Sequence, residues 1–245
     1  MGHISLLLAL LTGAIATIGW AQSPFESDAI KTSSGDLKIT FIGHATLVFQ
    51  HGGLVVHVDP VAQYADYSLQ PKADIILVTH DHGDHLDPKA IDAIRTEKTV
   101  LVGTAKCAAK VTGMMAMGNG ESRDVRGVRI EAVPAYNIVN KRPTGEPFHA
   151  KGDGNGYVLT FGDKRVLVAG DTENTPEIKA LKNIDIAFLP MNLPYTMTPE
   201  MVADAAKAFA PKILYPYHYG TTDTLQLAKL LAGVPGIEVR IRNLK

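Results

Sequence analysis

Short β-type runs divided by turns occupy the first half of the chain, and helical stretches alternate with further strands in the second half. Residues 75–78 add an apolar run, Ile75-Ile76-Leu77-Val78, that reads as a buried strand. These observations predict an α/β protein, a mixed sheet with helices on its outer faces.

Residues 6–18 form an uncharged apolar run of about 13 residues, followed by small and polar residues at Gly19, Ala21, Gln22 and Ser23. That length suits the apolar segment of a secretory signal peptide and falls short of the roughly 20 residues that span a bilayer. The small-x-small pair Gly19 and Ala21 places cleavage after Ala21. The expected organisation is therefore a signal peptide at 1–21, a polar leader at 22–36 and one domain at 37–245. A periplasmic or secreted protein with no membrane span after cleavage follows. Met1-Gly2-His3 supplies no Lys or Arg, so an uncleaved anchor is the alternative.

Residues 37–42, 45–50 and 54–58 read as strands, the last two joined at His51-Gly52-Gly53. Asp87-Pro88 opens a helix with an N-cap and a first-turn proline, and Ala90, Ile91 and Ile94 follow at helical spacing. Further strands are expected at 99–102, 128–133, 156–161, 165–169, 184–189 and 213–215. Helices are expected at 175–181, 198–209 and 222–231, with Thr198-Pro199 repeating the cap-and-proline signal. No internal repeat or composition break marks a second domain. The Gly- and Pro-rich stretch at 140–156 is too long for a tight turn and reads as a functional loop.

Hydrophobic residues make up 46% of the chain, enough to bury a substantial core, and 24 basic against 25 acidic residues leave no basic stripe. A nucleic-acid partner is not expected, and a small-molecule substrate is. The single cysteine, Cys107, cannot form an internal disulfide and reads as a small buried hydrophobe.

Chemistry concentrates at residues 80–85, where three imidazoles and two carboxylates follow the apolar strand. Nitrogen and carboxylate oxygen are ligands for divalent zinc, manganese or iron. Alternate residues of an extended loop project to one side, so His80 and His82 can grip one ion. Asp84 and His85, past the Gly83 bend, can reach a second. His3, His51 and His57 read as incidental or structural.

His80-x-His82-x-Asp84-His85 resembles the signature of the metallo-β-lactamase superfamily. The resemblance runs from about Leu37 to the chain end and implies a four-layer αββα sandwich with the metal site at one edge. Val168-Ala169-Gly170-Asp171-Thr172 is similar to the strand end that carries the bridging aspartate, and Tyr215-Pro216-Tyr217-His218 to the strand end that carries the last histidine ligand. Phe41-Ile42-Gly43-His44 with Val58-Asp59-Pro60 resembles the subgroup that contains the ascorbate-phosphate lactonase and related uncharacterised metal-dependent hydrolases. By that resemblance Asp59 hydrogen-bonds a ligand ring and His44 lies at the rim of the pocket. Asp84 orients the attacking water, with His44 or Tyr195 near the developing negative charge. The implied reaction is hydrolysis of an ester-type bond, a lactone or phosphodiester more than a β-lactam, by metal-activated water at one or two zinc ions, with manganese or iron as substitutes.

One departure stands out. The superfamily has a further histidine between the first motif and the bridging aspartate, and Asn137 occupies the expected strand end here. Either His149, on the long loop, supplies the missing nitrogen, or Asn137 contributes and the first metal is held more weakly. That departure motivates the alternative of a metal-binding protein without catalysis. Lys141, Arg142 and Lys151 of the same loop are the basic candidates for a phosphate group.

Overall fold

A computed structural model describes residues 25–244, so the signal-peptide reading lies outside the described residues. Two seven-stranded sheets face each other, each formed by consecutive strands. The first contains β1 (Ser27–Thr32), β2 (Gly35–Gly43), β3 (Thr46–His51), β4 (Leu54–Val58), β5 (Ile75–Leu77), β6 (Val100–Gly103) and β7 (Met114–Ala116). Its first four strands form an antiparallel meander, and β4 to β7 run parallel. The second contains β8 (Ser122–Val125), β9 (Val128–Ala135), β10 (Gly154–Phe161), β11 (Lys164–Val168), β12 (Ile186–Pro190), β13 (Ile213–Tyr217) and β14 (Glu238–Val239). The same division recurs, four strands antiparallel and the last connections parallel. The halves thus share a topology that leaves no repeat in the sequence.

Strand periodicity sorts the core. Ile75 and Leu77 point into the cluster between the sheets, while Ile76 and Val78 join a second cluster with Ile91, Ile94 and Cys107. That second cluster sits beneath α1 (Pro88–Ile94) and α2 (Ala105–Lys110). On the far side, α3 (Pro176–Lys179), α4 (Pro199–Phe209) and α5 (Thr224–Leu230) contribute Ile178, Val202, Ala206 and Leu227 to the main core. The result is the expected αββα order. The caps form as the sequence predicts: Asp87 accepts from the Lys89 and Ala90 amides, and Thr198 from the Met201 amide, each with proline at the helix start. None of the helices among the described residues is long and apolar enough to cross a membrane.

Several elements differ from expectation. The segment read as a polar leader carries β1, which pairs with β2 from Ser27 to Thr32. Its alternate residues are only partly buried, so it lacks the apolar signature of a core strand. Asp28 anchors it to the chain's other end: its carboxylate accepts bonds from Arg242 at 2.8 Å and a contact from Arg240 at 3.3 Å. The short strands β7, β8 and β14 are likewise too brief or too polar to show in the pattern.

Strand direction positions the site. β2, β4 and β5 end at one edge of the first sheet, and β9, β11, β12 and β13 at the same edge of the second. The residues just past these ends turn sharply. His44 (φ 54°), Asp59 (φ 47°) and His218 (φ 46°) all occupy the left-handed region, as does Gly170 (φ 67°). Such backbone is sparsely populated for residues with a Cβ and clusters at functional sites.

Candidate metal centre

Asp59, at the end of β4, organises the first ligand loop. Its carboxylate accepts the Thr79 amide at 2.8 Å, the Thr79 hydroxyl at 2.7 Å and His85 Nδ1 at 2.8 Å. With Nδ1–H committed to Asp59, His85 turns the lone pair of Nε2 toward the cleft. Asp81, the other carboxylate of the motif, instead pairs with Lys110 at 2.7 Å. Asp84 remains half-buried beside the histidines.

The loop at 140–156 carries His149 back to Asn137. His149 is buried, and both its backbone amide and its Nδ1 donate to Asn137 Oδ1 at 2.8 Å. Asn137 Nδ2 donates to Glu173 Oε1 at 3.1 Å and to the Tyr195 carbonyl at 2.9 Å, which fixes the orientation of the amide. Asn137 is therefore the buttress of His149, and the reading of its side chain as a metal ligand is set aside: its oxygen is spent on His149.

Four histidines then converge on Asp171, with further side chains around them. His149 Nε2 lies 3.3 Å and His80 Nε2 4.0 Å from Asp171 Oδ2. His85 Nε2 and His218 Nε2 each lie 3.4 Å from Oδ1. Asp84 Oδ2 stands 3.8 Å from His85 Nε2 and 3.7 Å from His218 Nε2. His82 completes a set with His80 and His149 in which the candidate ligand atoms lie within 4.8 Å of one another. His44 joins the other pole, its Nε2 donating to Asp84 Oδ2 at 3.1 Å while its backbone carbonyl receives the His218 amide at 3.0 Å. The structure thus brings together the candidate ligands named from the motif and its resemblances, while Asp81 stands apart with Lys110 and Tyr195 sits 45% exposed on the cleft wall.

This donor set fits metal ions. Tetrahedral ligands about 2.0–2.1 Å from zinc lie roughly 3.3–3.4 Å from each other, the spacing of His149, His85 and His218 from Asp171, with His80 at 4.0 Å. His80 Nε2 and Asp171 Oδ1 are buried and have no hydrogen-bond partner, an arrangement that would be costly without a cation to meet them. Charge points the same way. Burial and the neighbouring His85 drive the His80 imidazole well down from its ordinary value, and burial holds His149 at about 4, so both are neutral with lone pairs free. Burial alone would raise Asp171, but His218 and His85 outweigh it and keep the carboxylate ionised. Asp84 is lowered in the same way, by His218 and His44 against burial. Burial also disfavours a cationic His85, yet Asp171 and Asp59 pull its pKa well up. The centre calls for positive charge.

Support from beneath is equally specific. Tyr217 Oη accepts the Gly170 amide at 2.8 Å, and the Asn155 amide reaches the Thr79 carbonyl at 2.9 Å. Glu173, which sequence reasoning missed, is fully buried, and its carboxylate accepts the Ile138, Val139 and Asn140 amides at 2.6–2.8 Å. Only its place two residues after Asp171 hinted at a role. Arg142, Phe148, Asn192 and Tyr195 wall a cavity of about 320 Å³ above His82, Asp84, His149, Asp171 and His218. Lys151 lies outside it, paired with Glu177 at 2.6 Å. His57 is buried in β4 with Nε2 donating to the Pro71 carbonyl, and His51 faces Thr32 and Ser34 at the far end of the strands.

A histidine and aspartate centre at the open edge of an αββα sandwich defines a metalloprotein of the metallo-β-lactamase type. A beta-lactamase superfamily domain matches residues 38–218. A UPF0173 metal-dependent hydrolase of Methanopyrus kandleri is 32% identical over 202 residues, 76% of this chain and 85% of that protein. The crystal structure of a metal-dependent hydrolase from Parabacteroides distasonis is 49% identical with a TM-score of 0.86, covering 90% of this chain and all (100%) of that one. Igni18, a metallo hydrolase of Ignicoccus hospitalis, shares the fold at 22% identity and a TM-score of 0.70. The chain belongs to the metallo-β-lactamase superfamily, among its UPF0173 metal-dependent hydrolases. It is a metal-dependent hydrolase.

Proposed function

We propose that the protein hydrolyses an ester-type bond, in a lactone or phosphodiester, with two zinc ions, which manganese or iron can replace. The observation that carries this reading is the division of Asp171: one oxygen faces His80 and His149, the other His85 and His218. His80, His82 and His149 would hold one cation, Asp84, His85 and His218 the other, with Asp171 between them. Such a pair would supply a nucleophilic water at neutral pH and a Lewis acid for the electrophile's oxygen.

The side chains do the rest. Asp84, ionised and steadied by His44, orients the water and takes its proton as oxygen bonds to the acyl carbon or phosphorus. The bond to the leaving oxygen breaks, and that oxygen receives the proton. The Tyr195 hydroxyl, on a residue of the wall, would donate to negative charge that develops on the substrate. The departure at Asn137 motivates a non-catalytic reading, and the approach of His149 to His80 and His82 supports the catalytic one.

The reading predicts two metal ions per chain and turnover of lactone or phosphodiester panels that is lost in His82→Ala. One ion per chain, unchanged in His149→Ala, would refute the two-metal arrangement. Export belongs to the same proposal, since residues 1–21 read as a signal peptide. N-terminal sequencing of the mature protein should begin at Gln22, and a start at Met1 would refute cleavage.

A further inference from the structure

The loop that supplies His149 also builds the cavity wall, and both its ends are pinned. Glu173 holds the amides of residues 138–140 at one end, and Asn137 holds His149 at the other. Between them the chain doubles back: Lys141 bridges Pro147, and the Arg142 amide donates to the Glu146 carbonyl at 2.7 Å. This places the Arg142 guanidinium over the Phe148 ring, 5.2 Å from its centroid, with Phe148 set edge-on to Tyr195.

Arg142 lacks what most of the other arginines have, and shares that lack with Arg126, whose guanidinium donates to the Lys98 carbonyl away from the cleft. Arg95, Arg123, Arg129, Arg165, Arg240 and Arg242 each pair with a carboxylate at 2.7–3.0 Å. Among the described residues Arg142 has no ion-pair partner, and its only side-chain hydrogen bond is a 3.4 Å contact to the Phe148 carbonyl. The cavity wall carries no acid, since Phe148, Asn192 and Tyr195 are its other members. Its floor carries only Asp84 and Asp171, which two divalent cations would more than offset.

We infer that Arg142 is the specificity residue of this cleft, binding an anionic carboxylate or phosphate group on the substrate remote from the bond that is cut. The inference rests on the hydrolase reading above. A planar guanidinium matches either oxyanion with paired donors, and ring stacking on Phe148 limits the freedom it loses on binding. The cavity of about 320 Å³ sets the scale of the ligand, a small molecule with its anion at the wall and its ester at the floor.

The test compares mono-p-nitrophenyl glutarate, which carries a free carboxylate, with its neutral methyl ester, on zinc-loaded protein with two-ion content verified. Wild type should favour the anionic ester in kcat/KM, and Arg142→Ala should lower that preference about tenfold or more, chiefly through KM, with partial rescue in Arg142→Lys. A preference unaltered in Arg142→Ala, or absent from wild type, overturns the inference while leaving hydrolysis intact. If wild type cleaves neither ester, the ester-hydrolase reading fails for this class. Calorimetric binding of inorganic phosphate then decides Arg142 separately: tenfold weaker binding in Arg142→Ala supports the assignment, and equal binding refutes it.

Discussion

Replacing Asn137 with aspartate separates two accounts of that position. If residue 137 merely supplies an oxygen, to metal or to His149, a carboxylate should serve better than an amide, because charge strengthens both interactions. The structure predicts the reverse. Asn137 Nδ2 donates to Glu173 at 3.1 Å and to the Tyr195 carbonyl at 2.9 Å, and aspartate would present acceptors to both. Two carboxylates about 3 Å apart repel by roughly 5 kcal/mol at an effective dielectric near 20. Protonation of one carboxyl relieves part of this, and the two donor bonds are lost as well. We expect zinc at the His80–His82–His149 pole to bind about 10- to 100-fold more weakly, with the other ion less affected, as loss of a ligand's hydrogen-bond partner generally does. Competition with a chromophoric chelator reads both affinities, and thermal melting of the metal-free protein reads the structural cost. Zinc bound as tightly in Asn137→Asp as in wild type would refute the buttress.

Three further outcomes follow from the same contacts. Asp59→Asn should leave the fold in place but loosen His85 and the Thr79 loop, lowering zinc affinity about 10- to 100-fold, measurable by the same competition assay. Gly170→Ala should destabilise the protein by about 1–3 kcal/mol and displace Asp171, since a Cβ there would lie 2.7 Å from the Asn155 carbonyl on left-handed backbone; an unchanged denaturation midpoint would exclude this. Burial holds the His57 imidazole at about 4 against roughly 6.5 unfolded, so the unfolded chain binds the proton more tightly between these values. Stability from this source is therefore lost as pH falls below about 6.5 and levels off below about 4, a total of about 3 kcal/mol. His57→Gln should flatten that part of the profile in denaturant titrations of the metal-free protein, and parallel profiles for the two would contradict it.

What the sequence made legible follows from how far each signal reaches along the chain. The ligand run at 80–85 is local, and so is the strand before it, so both could be read directly. Asp59, Asp171 and His218 stand at strand ends, where an apolar run breaks into a polar residue, and they were found by resemblance to a pattern of such ends. Glu173 left no such trace. Its partners are backbone amides more than thirty residues away, and amides have no sequence signature. The same cause hid β1, whose hold on the fold is an ion pair from Asp28 to Arg242 across |i−j| = 214 positions. His149 lay between these extremes. A histidine count made it a candidate, but only the folded loop shows why Asn137 stands where a ligand was expected. The histidine has moved onto the loop, and the strand end has become its support. One consequence distinguishes this arrangement from a strand-end ligand. The metal pole and the Arg142 wall share one pinned loop, so substitutions at Glu173 should disturb zinc affinity and anion preference together, whereas Asp59 should disturb zinc affinity alone.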